Sequence, residues 1–262
     1  MKKSILDLRV VSNTKLLDTH FLLRLTSDSQ KLPIMNPGQF VQVEVKNSSL
    51  AFLRRPISIN FVDIKNNELW LLIQIIGEGT KHLSRLVTGD MLNIICPLGH
   101  GFTLPTEGQQ TFKPLLVGGG VGIAPLLHLG ATLFESGYKP SFLLGARSSK
   151  DLLELDLFRK FGTVYTTTED GSSGNRGFVT DHILLKEQRF NWIYSCGPKP
   201  MMMAVAKYAQ QQDITCEVSL ENRMACGVGA CLCCVEEDKN KHNVCVCTEG
   251  PVFNIKDLSW LS

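Results

Sequence analysis

The cysteines near the end of the chain constrain its fold more than any other feature. Of the nine cysteines in the 262 residues, six crowd into this one segment. Cys226, Cys231 and Cys234 have the spacing C-x4-C-x2-C, which is found in loops that hold a [2Fe–2S] cluster. Gly227 and Gly229 let backbone amides approach the bridging sulfides, because glycine places no Cβ in the way. The segment is therefore expected to fold around a cluster.

A cluster of this type needs a fourth thiolate, and the spacing leaves two candidates open. Cys245 and Cys247 both lie downstream, shortly before Gly250 and Pro251. Zinc bound by four cysteines is the alternative centre, although two C-x2-C pairs would be expected for it. Cys233 is interpreted as an additional thiol without a ligand role. Because a cluster passes electrons, electron transfer is the expected function.

Composition excludes several other classes of function. The 27 basic and 25 acidic side chains are well mixed and leave a net charge of +2, so the chain has no basic stripe for nucleic acid. The longest apolar stretch, Ala124–Phe134, is too short to span a membrane. Asp7 and Arg9 interrupt any apolar run after Met1, so no signal peptide is indicated and a cytoplasmic protein is expected.

The first hundred residues have the pattern of short strands separated by turns. The predicted strands are Phe21–Leu25, Phe40–Val45, Leu69–Ile76 and Met91–Ile95. One short helix is predicted over Lys81–Val87, with Thr80 as its N-cap and Gly89 beyond its end. This pattern favours a small antiparallel β-barrel.

The rest of the chain alternates between strands and helices, which is typical of parallel strands with helical crossovers. The predicted strands are Leu115–Val117, Phe142–Leu144, Val164–Thr167 and Trp192–Cys196. The predicted helices are Pro125–Ser136, Leu152–Phe161, Thr180–Lys186 and Pro200–Gln211. The chain is thus predicted to be multi-domain. The domains are an N-terminal antiparallel β-barrel at 1–108, a doubly wound α/β nucleotide-binding domain at 109–215 and a small C-terminal iron–sulfur domain at 216–262.

Two segments of the predicted barrel are suited to binding phosphate. Arg54-Arg55-Pro56-Ile57-Ser58 places a bidentate cation beside a rigid proline and a hydroxyl, although adjacent arginines are also common in solvated turns. Gly77-Glu78-Gly79-Thr80 precedes the predicted short helix and offers backbone amides and a hydroxyl. Two such segments in one barrel indicate a cofactor with a diphosphate.

The α/β region contains two further glycine motifs at the ends of predicted strands. In Val117–Pro125, the glycines Gly118, Gly119, Gly120 and Gly122 form a turn that could cradle a nucleotide pyrophosphate. A connection needed only for strand–helix packing is the alternative. Cys196-Gly197-Pro198 ends another strand at the sheet edge where ligands of open α/β sheets bind.

Taken in order, R-x-P-x-S, G-x-G-T, G-G-G-x-G-x-x-P and C-G-P resemble the ferredoxin–NADP reductase superfamily over about the first 215 residues. The resemblance implies FAD on the barrel and a nicotinamide nucleotide on the α/β domain. The family's FAD contacts map onto Arg55, Pro56, Ile57, Ser58, Leu72, Ile73, Gln74, Gly79 and Thr80.

The tail narrows the resemblance. Glu221–Cys231 and Cys247–Phe253 look like the electron-transfer subunits of bacterial NAD-dependent dihydroorotate dehydrogenases of type B. In that family the cysteine before x-x-G-P-V-F is the fourth ligand, which implies Cys247. The implied metal ligands are Cys226, Cys231, Cys234 and Cys247. The choice of NAD over NADP depends on this resemblance, because Arg147-Ser148-Ser149 would equally suit a 2′-phosphate.

The resemblance implies a relay from a partner through the cluster and FAD to NAD+, in pyrimidine (UMP) biosynthesis. The implied partner is the FMN-containing dihydroorotate dehydrogenase subunit, in a heterotetramer with two copies of each chain. We expect no dihydroorotate oxidation by the chain alone, because a (β/α)8 barrel of about 250 residues has no room beside the two domains already assigned. No acid–base catalytic residue is expected either, because the protein's tasks in such a relay are to position the nicotinamide against the flavin and to tune their potentials. The alternatives are a gamma-type reductase subunit of a sulfhydrogenase or bifurcating ferredoxin reductase, and a zinc-stabilised binding module.

Overall fold

The computed structural model describes residues 3–46, 51–106 and 111–261. The predicted boundary after residue 108 lies outside these residues. Within the described ranges, no helix is both long and apolar enough to cross a membrane.

The first sheet contains seven antiparallel strands. They are β1 (Ser4–Leu17), β2 (His20–Thr26), β3 (Phe40–Val43), β4 (Arg55–Ser58), β5 (Phe61–Asp63), β6 (Glu68–Gln74) and β7 (Met91–Leu98). Their order is β4-β3-β7-β1-β2-β6-β5. Alternate side chains of β1, such as Leu6, Leu8 and Val10, are buried in a core shared with the other strands. The predicted antiparallel barrel is confirmed as a curled half-barrel.

Helix α1 (Glu78–Leu83) begins earlier than its sequence pattern predicts. The prediction of Thr80 as N-cap is wrong, because Gly77 occupies that position and Thr80 lies in the first turn. The helix also ends before Val87. Asn13 of β1 donates through Nδ2 to the carbonyls of Leu83, Ser84 and Leu86, and so satisfies acceptors that a longer helix would have bonded internally. The end of α1 is therefore set by a residue distant in sequence.

The second sheet is parallel except for its last strand. It contains β8 (Pro114–Gly119), β9 (Ser141–Ala146), β10 (Thr163–Thr168), β11 (Asn175–Arg176), β12 (Trp192–Cys196) and β13 (Thr215–Ser219). The order is β11-β10-β9-β8-β12-β13, followed by an antiparallel strand from the tail. The order reverses at β8, so the carboxyl ends of β8 and β12 border a crevice of the kind that binds nucleotides. The predicted doubly wound fold is confirmed.

Four helices accompany this sheet. They are α2 (Ala124–Glu135), α3 (Leu155–Phe158), α4 (Leu184–Glu187) and α5 (Lys199–Gln211). The first and last agree closely with their predictions, but α3 and α4 are single turns. The backbone of Glu154 is left-handed, with φ of +55°, and His182 is extended, so neither predicted helix continues through these residues.

The tail forms a compact segment beside the sheet. It contains a hairpin of β14 (Val235–Glu237) and β15 (Asn243–Cys245), and then β16 (Val252–Asn254), which pairs with β13. Because β13 begins at the predicted boundary of residue 215, the sheet extends into the third predicted segment. The division at 108 and 215 stays a prediction.

A shared apolar core joins the half-barrel to the α/β sheet. Leu72 and Phe102 from the first hundred residues belong to the same buried cluster as Ile123, Ala124 and Tyr194. This contact brings the outer face of the half-barrel against the start of α2, which follows the glycine-rich turn.

Candidate functional site

The two predicted phosphate-binding segments of the half-barrel meet in space. The side chain of Arg55 in β4 packs against Gly79 of α1, where a Cβ on Gly79 would overlap the guanidinium. The Thr80 hydroxyl accepts hydrogen bonds from the amides of Ile76 (2.9 Å) and Gly77 (3.3 Å), which orders the turn before α1. The arrangement leaves a cation next to a glycine turn and fits a diphosphate.

The neighbouring arginine has a different environment. Arg54 donates through Nη1 to the carbonyls of Gln42 (3.3 Å) and Asn93 (3.2 Å), and through Nη2 to Asn93 Oδ1 (2.5 Å). Among the described residues, the Arg55 guanidinium makes only one long bond, 3.5 Å to the carbonyl of Arg54, and no ion pair. Arg54 is thus occupied by the fold, whereas Arg55 is available to a ligand.

The remaining residues of the predicted flavin site lie on β4 and β6. Pro56, Ile57 and Ser58 are half-buried along β4. Leu72 and Ile73 are buried in β6, where Leu72 belongs to the core between the lobes, and Gln74 at the end of the strand is partly exposed.

The backbone of the predicted nucleotide turn, after β8, is in close contact with the backbone of the turn after β12. Gly118 and Gly119 end β8, and Gly120 and Gly122 lie in the 3-10 turn before α2. A Cβ on Gly122 would overlap the backbone of Gly197 after β12. Gly122 therefore has to be glycine for the two loops to meet, and Gly197 has a φ of +153°, which favours glycine.

The half-barrel and the α/β sheet share a cavity of about 680 Å³. Its wall includes Gln74 from β6, three of the predicted glycines, and Pro198 after β12. The three glycines are Gly119, Gly120 and Gly122. Gly118 packs on Ile123 and Leu126 behind the turn, and Cys196 is fully buried, so neither is part of the wall. The cavity is large enough to hold rings from two cofactors side by side.

Sequence reasoning did not single out Glu221 as a binding residue, although it borders this cavity. It follows β13, and its Oε1 lies 4.0 Å from the sulfur of Cys196. Desolvation by the surrounding protein atoms raises the pKa of the Glu221 carboxyl. The side chain nevertheless remains accessible to solvent through the cavity. Glu221 comes just after β13, which pairs with β12 next to the point where the strand order reverses. This position in the sequence could have identified Glu221 as a binding residue.

In dinucleotide-binding folds an acidic residue that binds the ribose follows the strand after the glycine turn, and in this chain Arg147 follows that strand, β9. An acidic residue, Glu169, follows the next strand instead. The amide of Glu169, after β10, donates to the carbonyl of Ala146 at the end of β9 (3.1 Å). Glu169 and Arg147 therefore lie on the same wall of the cavity. Sequence spacing missed Glu169, because the adjacency of β9 and β10 brings it there.

The cysteine loop is folded around its own sulfur atoms. The Cys226 sulfur accepts bonds from the amides of Val228 (3.4 Å) and Ala230 (3.3 Å), and the Cys231 thiol lies beside it. The bond from Val228 is the main cause that lowers the pKa of Cys226 to about 6. Gly227 and Gly229 both have positive φ. Amides directed at sulfur suit thiolate ligands of a cluster.

Of the two candidates for a fourth thiolate, Cys247 is bonded to this loop. Its sulfur accepts from the amide of Gly229 (3.2 Å), and its amide donates to the sulfur of Cys234 (3.4 Å). Cys245 ends β15, and its amide donates to the carboxylate of Glu249 (2.7 Å). Cys231 thus lies beside Cys226, and Cys234 beside Cys247, while Cys233 is exposed. Cys245 also interacts electrostatically with Cys226, Cys231 and Cys234, and among the described residues no group of three side chains is arranged to hold a metal ion, so the choice of the fourth ligand stays a prediction.

The cysteine loop also touches the half-barrel next to the strand that carries Arg55. Gly227 packs against the side chain of Gln42 in β3, and Gln42 lies opposite Pro56 of β4 in the sheet. Gln42 is fully buried, and neither atom of its amide has a hydrogen-bond partner among the described residues. A buried amide in this state fits a position beside a bound group.

Comparison with known proteins gives matches over the whole chain. Residues 221–259 match the iron–sulfur cluster binding domain of dihydroorotate dehydrogenase B, and residues 116–207 match the oxidoreductase NAD-binding domain. A protein of Shouchella clausii, named "Dihydroorotate dehydrogenase B (NAD(+)), electron transfer subunit", is 38% identical over 98% of this chain and 99% of its own length. A Bacillus cereus protein of the same name is 41% identical over 85% of this chain and 86% of its own.

Solved structures show the same architecture. An NADH-dependent reduced ferredoxin–NADP oxidoreductase, studied for flavin-based electron bifurcation, has a TM-score of 0.85 and 28% identity, covering 97% of this chain and 90% of its own. The ferredoxin reductase of carbazole 1,9a-dioxygenase has a TM-score of 0.67 at 20% identity, covering 82% and 67%, which shows a shared fold only.

Proposed function

This chain belongs to the family of electron-transfer subunits of dihydroorotate dehydrogenase B (NAD(+)), and on that premise we propose how its residues divide the work between three cofactor sites. The function is electron transfer linked to NAD in pyrimidine biosynthesis, with FAD, a [2Fe–2S] cluster and NAD as cofactors. The predictions of family, function and cofactors are therefore confirmed.

The assignment of residues to each cofactor is our proposal. For FAD we assign Arg55, Pro56, Ile57, Ser58, Leu72, Ile73, Gln74, Gly79 and Thr80. For the nicotinamide nucleotide we assign Gly118, Gly119, Gly120, Gly122, Cys196, Gly197 and Pro198. For the cluster we assign Cys226, Cys231, Cys234 and Cys247. When bound, the cluster supplies one-electron transfer, and the flavin couples single electrons to hydride exchange with nicotinamide.

The protein groups hold and orient these cofactors. Arg55 would neutralise a diphosphate beside Gly79. Gly79 has no Cβ, and this leaves room for the Arg55 guanidinium. The turn at Gly119–Gly122 offers backbone to a second diphosphate at the start of α2. Because Gln74 and this turn line one cavity, the protein would hold the flavin and nicotinamide rings next to one another there and would exclude water from between them. No acid–base residue is needed for this transfer.

The identity of the partner is also part of the proposal. The relatives are named electron-transfer subunits, so a separate catalytic subunit is implied. We assign it as the FMN-containing dihydroorotate dehydrogenase chain, in a heterotetramer with two copies of each. Both described sheets are open rather than a (β/α)8 barrel, which supports placing the dihydroorotate chemistry on that partner. A cytoplasmic location is also proposed, because no disulfide joins any of the nine cysteines, which suits a reducing compartment.

The observation that carries the proposal is the contact between Gly227 and Gln42, which places the cysteine loop beside the sheet strand next to β4. Electrons from a partner therefore have a short route from the loop to β4, which we call the flavin strand.

The test mixes the chain with the FMN subunit and follows NADH formation from dihydroorotate. We expect turnover, with two irons and two sulfides in each copy of this chain. Cys247→Ser should lose the cluster and abolish this turnover, whereas the matched variant Cys245→Ser should retain both. Full turnover by a cluster-free Cys247→Ser chain would remove the cluster from the route, and loss of the cluster in Cys245→Ser alone would reassign the fourth ligand.

A further inference from the structure

A buried polar contact ties the half-barrel to the glycine-rich turn. Asn60 lies between β4 and β5, two residues after Ser58, and is fully buried. Its Nδ2 donates to the carboxyl Oε2 of Glu154 (2.9 Å) and to the carbonyl of Ala124 (3.3 Å). Ala124 is the first residue of α2, directly after the nucleotide turn. One amide group therefore connects the flavin strand, the nucleotide turn and the loop before α3.

The orientation of the Asn60 amide follows from its partners. A backbone carbonyl can only accept a hydrogen bond, so the atom facing Ala124 must be the nitrogen. The amide oxygen, Oδ1, is consequently directed away from this carbonyl and needs a donor. Among the described residues it has none, and neither has the second carboxyl oxygen of Glu154, Oε1, although both atoms are buried.

Two unpaired acceptors at one buried contact are costly if Glu154 is ionised, because a carboxylate has no hydrogen to donate. A carboxylic acid has one. With a proton on Oε1, Glu154 can donate to Asn60 Oδ1 while Oε2 still accepts from Nδ2, which pairs both oxygens at once. We propose that Glu154 is a positioning residue that, as a neutral acid paired with Asn60, holds the nucleotide turn in register with the flavin strand.

The backbone at Glu154 supports a specific role. Its φ of +55° lies in the left-handed region, which residues other than glycine rarely adopt. Its carbonyl accepts bonds from the amides of Leu157 (2.9 Å) and Phe158 (3.1 Å), so the strained conformation directs the carboxyl toward Asn60 while α3 starts behind it. Strain of this kind persists where the surroundings fix it, and it is frequent at functional sites.

The electrostatic surroundings of Glu154 favour the neutral form. Burial raises the pKa of this carboxyl to about 7, against a smaller lowering by the Asn60 hydrogen bond. Asn60, which is hydrogen-bonded to the carboxyl, does not titrate. On the flanking helices, His128 of α2 is bonded to the carbonyl of Met35, and Asp156 of α3 forms an ion pair with Arg159.

The inference depends on the proposed function for its consequence in turnover, but the acid–amide pair can be tested without it. A pKa raised by folding means that the native state holds the proton more tightly than the unfolded chain. The stabilisation is complete below the unfolded pKa of about 4.5 and is lost as the pH rises through about 7. Glu154→Gln carries an amide that can make both bonds at every pH, so its stability should not change in this window.

The first measurement is thermal unfolding of the purified holo-chain from pH 5 to 8.5. We expect the Tm of the wild type to fall relative to that of Glu154→Gln as the pH rises through about 7, and Asp156→Asn, at an exposed carboxyl on the same segment, to follow the wild type. A constant difference between wild type and Glu154→Gln would overturn the pair.

The second measurement is the rate at which NADH reduces the bound flavin in stopped flow. Above pH 7 we expect the wild-type rate to fall about tenfold relative to Glu154→Gln, since small misplacement of two reacting rings is costly. Glu154→Ala should be slow at every pH with its flavin retained. A wild-type rate in Glu154→Ala would overturn the positioning role. If NADH did not reduce the wild-type flavin at any pH, the proposed function would be at fault, and the unfolding data would still decide the pair.

Discussion

Two adjacent arginines have separate roles in this molecule. Arg54 donates three hydrogen bonds to β3 and β7, while Arg55 extends toward Gly79 with one long bond to the Arg54 carbonyl. Local sequence makes the two equivalent, because both have the same charge and both precede Pro56. Arg55 begins β4 whereas Arg54 lies just before the strand, and the different partners that the fold gives to the two side chains distinguish them.

Replacing Arg55 with Ala should therefore weaken the binding of FAD. A charge-assisted bidentate contact contributes on the order of 1.5–3 kcal/mol, which corresponds to about a tenfold to hundredfold loss of affinity. Titration of the flavin-free protein with FAD measures this loss. Arg54→Ala is the contrasting variant, since it should lower the Tm of the flavin-free protein while Arg55→Ala leaves that Tm unchanged. Equal FAD affinities for wild type and Arg55→Ala would exclude Arg55 from the flavin site.

At the scale of secondary-structure elements, the nucleotide site depends on how closely two loops approach. The turn after β8 and the turn after β12 meet at Gly122 and Gly197, where a single added Cβ would overlap backbone. Backbone atoms cannot rotate away as a flexible side chain can, so any substitution there must move one loop relative to the other.

Gly122→Ala should raise the KM for NADH about tenfold or more, because displacement of the turn moves the amides that face the nucleotide. The FAD and iron contents should remain those of the wild type, since both sites lie on other elements. Gly137→Ala is a suitable control. Gly137, at the end of α2, has φ of +86° and open space around its Cα, so the variant introduces strain without a clash. An unchanged KM in Gly122→Ala would show that nucleotide binding does not require this close contact.

At the scale of the whole molecule, the contact between the two sheets and the placement of the tail decide which reactions the chain can catalyse. Gln74 and the nucleotide turn face one cavity, while the cysteine loop lies against Gln42 in the neighbouring part of the half-barrel. The proposed flavin site, which lies on β4 and β6, is therefore next to both other sites.

The chain alone should accordingly pass electrons from NADH to ferricyanide or a dye, and it should not oxidise dihydroorotate. The Cys247→Ser chain should retain activity with a dye that takes its electrons from the flavin, because the nucleotide and flavin sites meet without the cluster. Steady-state assays of the purified chain with each substrate test both statements. Dihydroorotate oxidation by this chain without a partner would contradict the division of labour between the subunits.

Much of this organisation follows from the sequence by itself. The C-x4-C-x2-C loop, the glycine turn after an apolar strand and the change from short strands to alternating strands and helices are local patterns. Their physical causes act over a few residues: ligand spacing, freedom from a Cβ, and the periods of strands and helices. For this reason the antiparallel architecture of the first hundred residues, the doubly wound sheet and the C-terminal iron–sulfur domain were predicted correctly.

The tertiary structure decided what depends on residues that are distant in the chain. Asn13 bonds the carbonyls at the end of α1, the Gly229 amide donates to Cys247 rather than to Cys245, and Glu169 reaches the nucleotide cavity from β10, the strand next to β9. The pairing of Asn60 with Glu154 spans 94 residues. Such contacts are made only when separate elements pack together, because their energies come from burial and from hydrogen bonds across the packed surfaces, and no local period in the sequence encodes them.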